Sequence, residues 1–392
     1  MAVVSRDLFP TDDPLPTAQM IGRREDVDTL RAAIGAGLHR IVIGPRRTGK
    51  TSVCRAVLER LADDDALIVS VNLFYQADAS AAAREIAAGA AAHLPALAKA
   101  LRAAGRAGRA ALSPAHTRVV LSAKDQLGDA VELAFESAAA QTSTPDALMQ
   151  AIDLCSRVAQ AREQRLVLFV DEFQELARDR FSYGDPDTIT KQFRAHLEGQ
   201  RGLTALLTGS AQHMMRELFT DRRRGMYRFG GFHELSAITA EDWSDGLAAA
   251  FARDKRDATG DALVRLVELG AEHPRTTMLL AQHAHLAMLG DGSRKLALEH
   301  VAVAHAGALA HDRPGHEETL ARIRVMPRHT LRVALRIAHN EPPYAKGIDA
   351  KAAQRAIDSL QDEGLLEHSS ASGSWRFVEP LLAEFLRTRV AR

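Results

Sequence analysis

The sequence predicts an α/β fold in which a parallel sheet carries a phosphate-binding loop and is followed by a mostly helical region. Three observations support this prediction. A glycine-rich segment at 44–51 follows a short apolar run, and a second apolar run at 165–170 ends in two acidic residues. From residue 237 onward, apolar residues such as Trp243, Leu247 and Phe251 recur at the spacing of an amphipathic helix.

Length and composition indicate an intracellular protein with more than one domain. The chain has 392 residues, and a hydrophobic content of 46% supplies ample core. Basic and acidic residues balance at 50 each, so contact with nucleic acid or an anionic membrane requires a local patch. Cys54 and Cys155 lack metal-binding spacing and favour a reducing, cytoplasmic location. Because no apolar run approaches a membrane span and no signal-peptide pattern is present, we expect no membrane partner.

The segment 44–51 matches the pattern G-x-x-x-x-G-K-[ST] of a nucleotide phosphate-binding loop. The run 39–43 before it is typical of a buried strand, and residues 52–61 carry apolar side chains at helical spacing. In this context Lys50 would reach the β- and γ-phosphates, and the Thr51 hydroxyl would ligate Mg²⁺. A chance glycine-rich turn is the alternative. The predicted nucleotide-binding residues are Gly44, Pro45, Arg46, Arg47, Thr48, Gly49, Lys50, Thr51 and Ser52.

Asp171 and Glu172 follow the apolar run 165–170, which is typical of a parallel strand buried on both faces. Ligands bind at the carboxyl ends of such strands in an open α/β sheet. Asp171 is therefore predicted to hold Mg²⁺, and Glu172 to act as the general base on the attacking water. An acidic helix N-cap is the alternative interpretation of this pair.

Two further apolar runs, at 67–73 and 203–210, are also predicted to be strands. The second follows the acidic pair and ends in small polar residues. P-loop ATPases of the additional-strand class sense the γ-phosphate with a polar residue at this tip, where Ser210 stands with Thr208 behind it. Serine is also a preferred N-cap residue. The alternative that Ser210 caps a helix starting at Ala211 therefore stays open.

Three segments resemble the archaeal-type, STAND-related branch of the AAA-like P-loop ATPases, relatives of the origin-recognition ATPases. The residues 20–25, MIGRRE, are similar to the GR..E box that precedes the phosphate loop in that family. The loop sequence GPRRTGKT and the residues 170–176, VDEFQEL, are similar to two further family motifs. His273-Pro274-Arg275 resembles the G-x-P motif of the helical lid, although the glycine is displaced to Gly270.

The resemblance implies an oligomeric ATPase that binds ATP or ADP with Mg²⁺, and it adds Gly22, Arg23 and Pro274 to the nucleotide contacts. In oligomeric members a neighbouring subunit supplies an arginine to the γ-phosphate. Arg228 is the first choice among the arginines at 222–228, because Met226-Tyr227-Arg228 is similar to the family pattern L-Y-G-R. A solvated basic loop is the alternative. A GTPase is disfavoured because no N-K-x-D motif follows the sheet.

The implied fold is a P-loop NTPase parallel sheet of AAA-like type, followed by a helical lid and a winged helix. We expect an ATPase domain at 1–236, a lid at 237–320 and a winged-helix domain at 321–392. The winged helix is predicted from two helices, at 330–338 and 350–360, and from two short strands, at 366–368 and 375–377. Its mild basic surplus, twelve basic against eight acidic residues, leaves both DNA reading and protein contact open.

An acid-free stretch between Glu85 and Asp125 forms a predicted basic insertion at about 95–125. The insertion could contact the phosphate backbone of a nucleic acid, or it could simply be a solvated loop; both alternatives stay open. Two outputs are therefore compatible with the sequence: an ATPase that remodels DNA or a DNA-bound complex, and a slowly hydrolysing STAND-type switch that binds protein partners and no DNA. The basic residues of the insertion are Lys99, Arg102, Arg106, Arg109, Arg118 and Lys124.

Overall fold

A computed structural model describes residues 5–11, 14–93, 117–124, 130–137, 145–182, 185–271, 273–344, 347–368 and 373–389. Much of the predicted basic insertion, including Lys99, Arg102, Arg106 and Arg109, lies outside these residues. In the described part of the chain, no helix is long and apolar enough to cross a membrane.

The β-strands form one parallel sheet and two antiparallel pairs. Five strands form the parallel sheet in the order β2-β5-β6-β1-β7, whereas β3 pairs with β4 and β8 pairs with β9. This order places the carboxyl ends of β1, β5 and β6 side by side at the centre of the sheet. The strands are β1 (Arg40–Ile43), β2 (Leu67–Asn72), β3 (Thr117–Lys124), β4 (Ala130–Ser137), β5 (Leu166–Asp171), β6 (Leu203–Gly209), β7 (Gly231–Glu234), β8 (Leu366–His368) and β9 (Trp375–Phe377).

The α-helices flank the parallel sheet and then form the remainder of the chain. In the described residues they are α1 (Ser5–Leu8), α2 (Arg24–Gly35), α3 (Lys50–Asp63), α4 (Ala79–Ala92), α5 (Pro145–Ala161), α6 (Asp179–Ser182), α7 (Pro186–Gly199), α8 (Gln212–Thr220), α9 (Ala240–Ala252), α10 (Asp261–Gly270), α11 (Pro274–Asp291), α12 (Leu298–Val325), α13 (Thr330–Ala338), α14 (Ala350–Asp362) and α15 (Pro380–Arg389).

The interior strand β5, between β2 and β6, shows why the sheet is buried on both faces. Leu166, Leu168 and Val170 pack into the core shared with α4, α5 and α7, whereas Val167 and Phe169 pack into the core shared with α2 and α3. A strand with helices on both faces is continuously apolar, so the α/β prediction is confirmed. The four predicted strands correspond to β1, β2, β5 and β6. β7 was not predicted, because it is a short edge strand whose residues are partly exposed.

The helices α9 to α12 build a second core beyond the sheet. Trp243, Leu247 and Phe251 of α9 are buried there, as their helical spacing predicts. The N-terminal segment joins this core, since Leu8 and Phe9 are also buried in it. Ser5 binds across to α11, with its Oγ 2.8 Å from Nδ1 of His285. The segment 5–9 therefore packs against the helical region.

The C-terminal part contains the predicted elements, α13, α14 and the β8–β9 pair, and adds α15, around a third core. Its interpretation as a winged helix stays a prediction. The predicted boundary at 320/321 falls inside α12, whose Leu320 and Ile323 belong to the third core. One continuous helix therefore links the second and third cores.

Candidate active site

A cleft of about 780 Å³ at the carboxyl ends of the sheet strands gathers most of the predicted site residues. Asp171 ends β5 and Glu172 follows it, while Ser210 follows β6. The predicted residues that line the cleft are Arg46, Arg47, Gly49, Lys50, Thr51, Ser52, Asp171, Glu172, Ser210 and Pro274. The sheet order explains this convergence, because β1, β5 and β6 are neighbours.

The phosphate-binding loop folds around the ammonium group of Lys50. Lys50 Nζ donates to the carbonyl oxygens of Gly44 at 2.9 Å and Pro45 at 2.6 Å. Its burial lowers the pKa of Lys50 to about 8, opposed by the nearby carboxylates. Gly49 stands at the N-cap of α3 with φ 90°, a left-handed conformation that favours glycine. The start of α3 therefore faces the cleft, as a phosphate site requires.

The carboxylate of Asp171 is the centre of a buried hydrogen-bond network. Its Oδ2 accepts from Thr51 Oγ1 at 3.0 Å and from Asn72 Nδ2 at 3.1 Å. Its Oδ1 accepts from the Thr208 hydroxyl and, at 3.0 Å, from the backbone N–H of Glu172. Among the described residues no cationic side chain pairs with Asp171, which is only 4% exposed. A buried carboxylate beside a hydroxyl, without an ion-pair contact to a described side chain, fits a Mg²⁺ site.

Glu172 is held through one of its two carboxylate oxygens. Its Oε2 accepts from the backbone N–H and the hydroxyl of Ser210, at 3.2 and 2.8 Å, and from Gln174 Nε2 at 2.5 Å. α8 begins at Gln212, and its N-cap is Ala211, which makes no side-chain capping bond. The hydroxyl of Ser210 therefore donates to Glu172 and does not cap α8.

Gly22 and Arg23 lie behind the loop and do not line the main cleft. Arg23 is 6% exposed, pairs with Asp26 at 3.2 Å and donates to the carbonyl oxygen of Thr48 at 3.1 Å. Arg23 therefore stabilises the phosphate-binding loop from behind. Gly22 has φ 62°, and a Cβ added there would lie 2.7 Å from Cγ2 of Ile238. The close approach between these two residues requires glycine.

A small, largely apolar recess adjoins the loop between Gly49 and the helical region. An apolar lining of this kind suits contact with one face of a planar base. Pro274 is the first residue of α11 and lines both this recess and the main cleft. The remaining lining residues are Leu15, Met20, Ile21, Arg23, Thr48, Ser52, Ile238, Trp243 and Met278.

Arg228 stands apart from the cleft. It is exposed, and no carboxylate in the described part of the chain pairs with it. By contrast, Arg223 pairs with Asp221 at 2.7 Å, and Arg224 pairs with Glu217. Arg222 and Arg228 are thus the arginines of this group that have no carboxylate partner within the described chain. The guanidinium group of Arg228 lies over the ring of Tyr227, 5.2 Å from its centroid.

Several residues that line the cleft or contact its acidic pair were not predicted as site residues from the sequence. Asn72 could have been found, because it is the last residue of a predicted strand and so lies at the same sheet edge as Asp171. Gln174 and Arg55 carried no separate signal. Arg275 lines the cleft and forms a two-pronged pair with Asp312, at 2.6 and 2.8 Å. The place of Arg275 at the cleft depends on the helical region packing beside the sheet.

Comparisons with known proteins agree with this geometry. Residues 19–183 match the family model described as AAA ATPase domain. A search of the curated proteins found no match. The Walker-type ATPase PABY2304 of Pyrococcus abyssi superposes with a TM-score of 0.70 at 14% identity, covering 97% of this chain and 99% of that one.

A second similar structure is the ORC2 protein of Aeropyrum pernix in ADPNP-ADP complexes, with a TM-score of 0.60 at 16% identity, covering 97% of this chain and 96% of that chain. At these identities the two superpositions show the fold. The five-stranded parallel sheet with its phosphate-binding loop is thus the fold of the P-loop AAA-like ATPases, and the matched domain implies nucleotide binding.

Proposed function

We propose that this chain binds ATP with Mg²⁺ and hydrolyses it to ADP and phosphate. The observation that carries the proposal is the arrangement around the acidic pair. Asp171 is bonded to Thr51 of the loop, and Glu172 lies beside it at the same cleft. One carboxylate is thus placed with a metal-ligating hydroxyl, and the other is available as a base.

Thr51 and Asp171 would hold Mg²⁺, which supplies charge compensation at the β- and γ-phosphate oxygens. Lys50 would exchange the carbonyl oxygens of Gly44 and Pro45 for phosphate oxygens, a better partner for a buried ammonium group. Pro274, which lines both the main cleft and the recess beside the loop, would contact the base.

In the hydrolytic step Glu172 takes a proton from a water molecule as that water's oxygen bonds to the γ-phosphorus. The bond between the γ-phosphorus and the bridging oxygen breaks, and that oxygen leaves as part of ADP. Ser210 contacts the base directly through Oε2 of Glu172, at 2.8 Å. It would therefore couple the γ-phosphate to the base, which is a sensing role.

We further propose that the active assembly is a homo-oligomer in which Arg228 acts on a neighbouring subunit's nucleotide. Arg228 is exposed and does not line the cleft of its own chain. An arginine presented in trans stabilises the charge that develops on the transferred phosphate. Nucleotide state would then be coupled to assembly on DNA or on a protein partner.

A STAND-type switch that binds protein partners and no DNA is the second candidate. One observation favours it: Arg47 of the loop is paired with Glu379 of the C-terminal part at 2.9 Å. Bound phosphates would compete for the same guanidinium group, so nucleotide could control how the C-terminal part is presented. Mass measurement with and without ATP, repeated with duplex DNA, separates the two candidates. DNA binding that falls steeply with salt would favour the first.

The hydrolytic function is tested with two variants and their matched controls. Glu172→Gln should retain ATP binding and lose about two to four orders of magnitude in turnover, since only the base is removed. Lys50→Ala should lose nucleotide binding. The controls are Glu198→Gln and Lys191→Ala on α7, away from the cleft. Hydrolysis by Glu172→Gln at the wild-type rate would exclude Glu172 as the base.

A further inference from the structure

Gln174 is a buried polar residue that the hydrolytic scheme above does not use. It lies in the short 3₁₀ turn Phe173–Ala177 that follows the acidic pair, and it is 2% exposed. Its Nε2 donates to Oε2 of Glu172 at 2.5 Å. Its own Oε1 is buried and has no hydrogen-bond partner within the described residues.

The unpartnered amide oxygen indicates what the residue does. A buried polar atom without a partner costs about 1–3 kcal/mol, so an apolar side chain would serve packing better at this position. Turning the amide around would place its oxygen against the Glu172 carboxylate, where two acceptors repel. The amide therefore keeps its N–H on the carboxylate, a charge-assisted contact that offsets the cost of its orphaned oxygen.

Gly209 provides the room for this arrangement. A Cβ added at Gly209 would lie 2.5 Å from Oε1 of Gln174 and equally close to Sδ of Met215. Gly209, the last residue of β6, thus leaves the space that the amide of Gln174 occupies.

The backbone of Glu172 is also fixed in an uncommon conformation. Its φ is 54°, in the left-handed region, and its N–H is bonded to Asp171 Oδ1 at 3.0 Å. Such a conformation costs of order 1 kcal/mol for a residue other than glycine and is maintained by its surroundings. With the backbone held by Asp171, the orientation of the carboxylate depends on the donors that reach it.

We propose that Gln174 is a positioning residue for ATP hydrolysis: with Ser210 it occupies Oε2 of Glu172 and leaves Oε1 to take the proton from water. The donors on Oε2 are the amide of Gln174 and the backbone N–H and hydroxyl of Ser210, whereas no hydrogen bond in the described chain reaches Oε1. The inference rests on the proposed function of Glu172. It assigns separate tasks to the two oxygens of that carboxylate.

The test replaces Gln174 with leucine, which keeps most of the side-chain volume and removes the N–H donor. Gln174→Leu should lower kcat by about tenfold or more, the effect of losing a hydrogen bond to a charged group. KM and the Kd for ATP should change less than about twofold, because Gln174 does not line the cleft. Gln200→Leu is the control, since Gln200 also donates to a carboxylate, that of Asp153 at 2.6 Å, away from the cleft.

A double variant separates positioning from a general structural effect. In the Glu172→Gln background, the additional change Gln174→Leu should reduce single-turnover hydrolysis by less than about twofold, since the base is already absent. Thermal unfolding of Gln174→Leu and of the double variant checks that both fold, and Gln174→Ala, which also lacks the N–H donor, takes the place of Gln174→Leu if the leucine variant does not fold. An undiminished tenfold effect in the Glu172→Gln background, or a wild-type kcat for Gln174→Leu, would overturn the inference alone. A wild-type protein that binds ATP without hydrolysing it would overturn the proposed function and this inference together.

Discussion

The guanidinium group of Arg47, in the phosphate-binding loop, donates a 2.9 Å hydrogen bond to Oε1 of Glu379, which lies 332 residues further along the chain. Glu379 immediately precedes α15, and its second oxygen lies 3.9 Å from Nε2 of His316 on α12. The loop that is proposed to bind phosphate is therefore tied directly to the C-terminal part of the chain.

The charge of Glu379 should contribute to stability in a pH-dependent way. Burial by itself would raise the pKa of Glu379, but His316, Arg47, His273 and Arg275 outweigh it and lower the pKa to about 2. A lowered carboxyl pKa stabilises the fold above the ordinary value of 4.5, and this contribution is lost as the pH falls toward 2. We expect Glu379→Gln to cost about 1–3 kcal/mol at pH 7.

The measurement is urea unfolding of wild type and Glu379→Gln at several pH values. The difference between the two should shrink as the pH falls from about 4.5 toward 2, because the unfolded wild-type chain takes up a proton at Glu379 that the folded protein binds only near pH 2. Glu318→Gln, at an exposed position on α12, serves as the control. A difference that stays constant from pH 7 to pH 3 would show that the charge of Glu379 is not responsible.

Glu379 should also compete with nucleotide for Arg47. Because a phosphate group would bind the same guanidinium, weakening the pair makes Arg47 available at lower energetic cost. Glu379→Gln is expected to bind ATP several-fold more tightly than wild type, measured by titration of a fluorescent ATP analogue. The gain should vanish in the double variant Arg47→Ala/Glu379→Gln. Equal or weaker binding by Glu379→Gln would contradict this competition.

Gly22 offers a test of the contact between the N-terminal box and the helical region. Alanine at Gly22 would carry φ 62° and bring its Cβ to 2.7 Å from Ile238. We expect Gly22→Ala to destabilise the fold by about 1–3 kcal/mol, through backbone strain and steric contact together. Gly37→Ala is a matched control, because Gly37 has φ 79° but its Cβ would meet nothing within 4 Å. Equal losses in thermal unfolding would show that strain alone acts.

The sheet and the acidic pair could be predicted because both depend on local pattern. β5 is buried along its whole length, so its continuous apolar run identifies it, and Asp171 and Glu172 follow where that run stops. Since parallel strands present their carboxyl ends at one edge, adjacency in the sheet brings Ser210 to Glu172. In this region the sequence pattern and the topology point to the same site.

The contacts that were missed are those that no local pattern encodes. Arg47 and Glu379 are joined only because α15 packs near the loop, and a separation of 332 residues leaves no periodic signal. The amide of Gln174 reaches Glu172 within the 3₁₀ turn that begins after Glu172, and the left-handed backbone of Glu172 at the start of that turn has no signal in the sequence. Similar limits explain why the sequence did not identify Glu217 as the partner of Arg224.

Arg228 should act on the nucleotide of a neighbouring subunit. Its side chain is exposed, does not line its own cleft, and has no carboxylate partner in the described chain, so its charge is available to another copy. Arg228→Ala alone should therefore lose most ATPase activity while retaining ATP binding. The same change at Arg223, which is held by Asp221, is the matched control and should leave most of the activity.

Mixing two inactive variants distinguishes action in trans from a local defect. Lys50→Ala subunits cannot bind phosphate but still present Arg228, whereas Arg228→Ala subunits bind ATP but lack the arginine for a neighbour. In a random equimolar ring, about a quarter of the sites combine an intact Lys50 with a neighbour's intact Arg228. We expect the mixture to recover roughly that fraction of wild-type activity, measured by phosphate release. No recovery, together with wild-type activity that stays proportional to protein at high dilution, would place the complete active site within one chain.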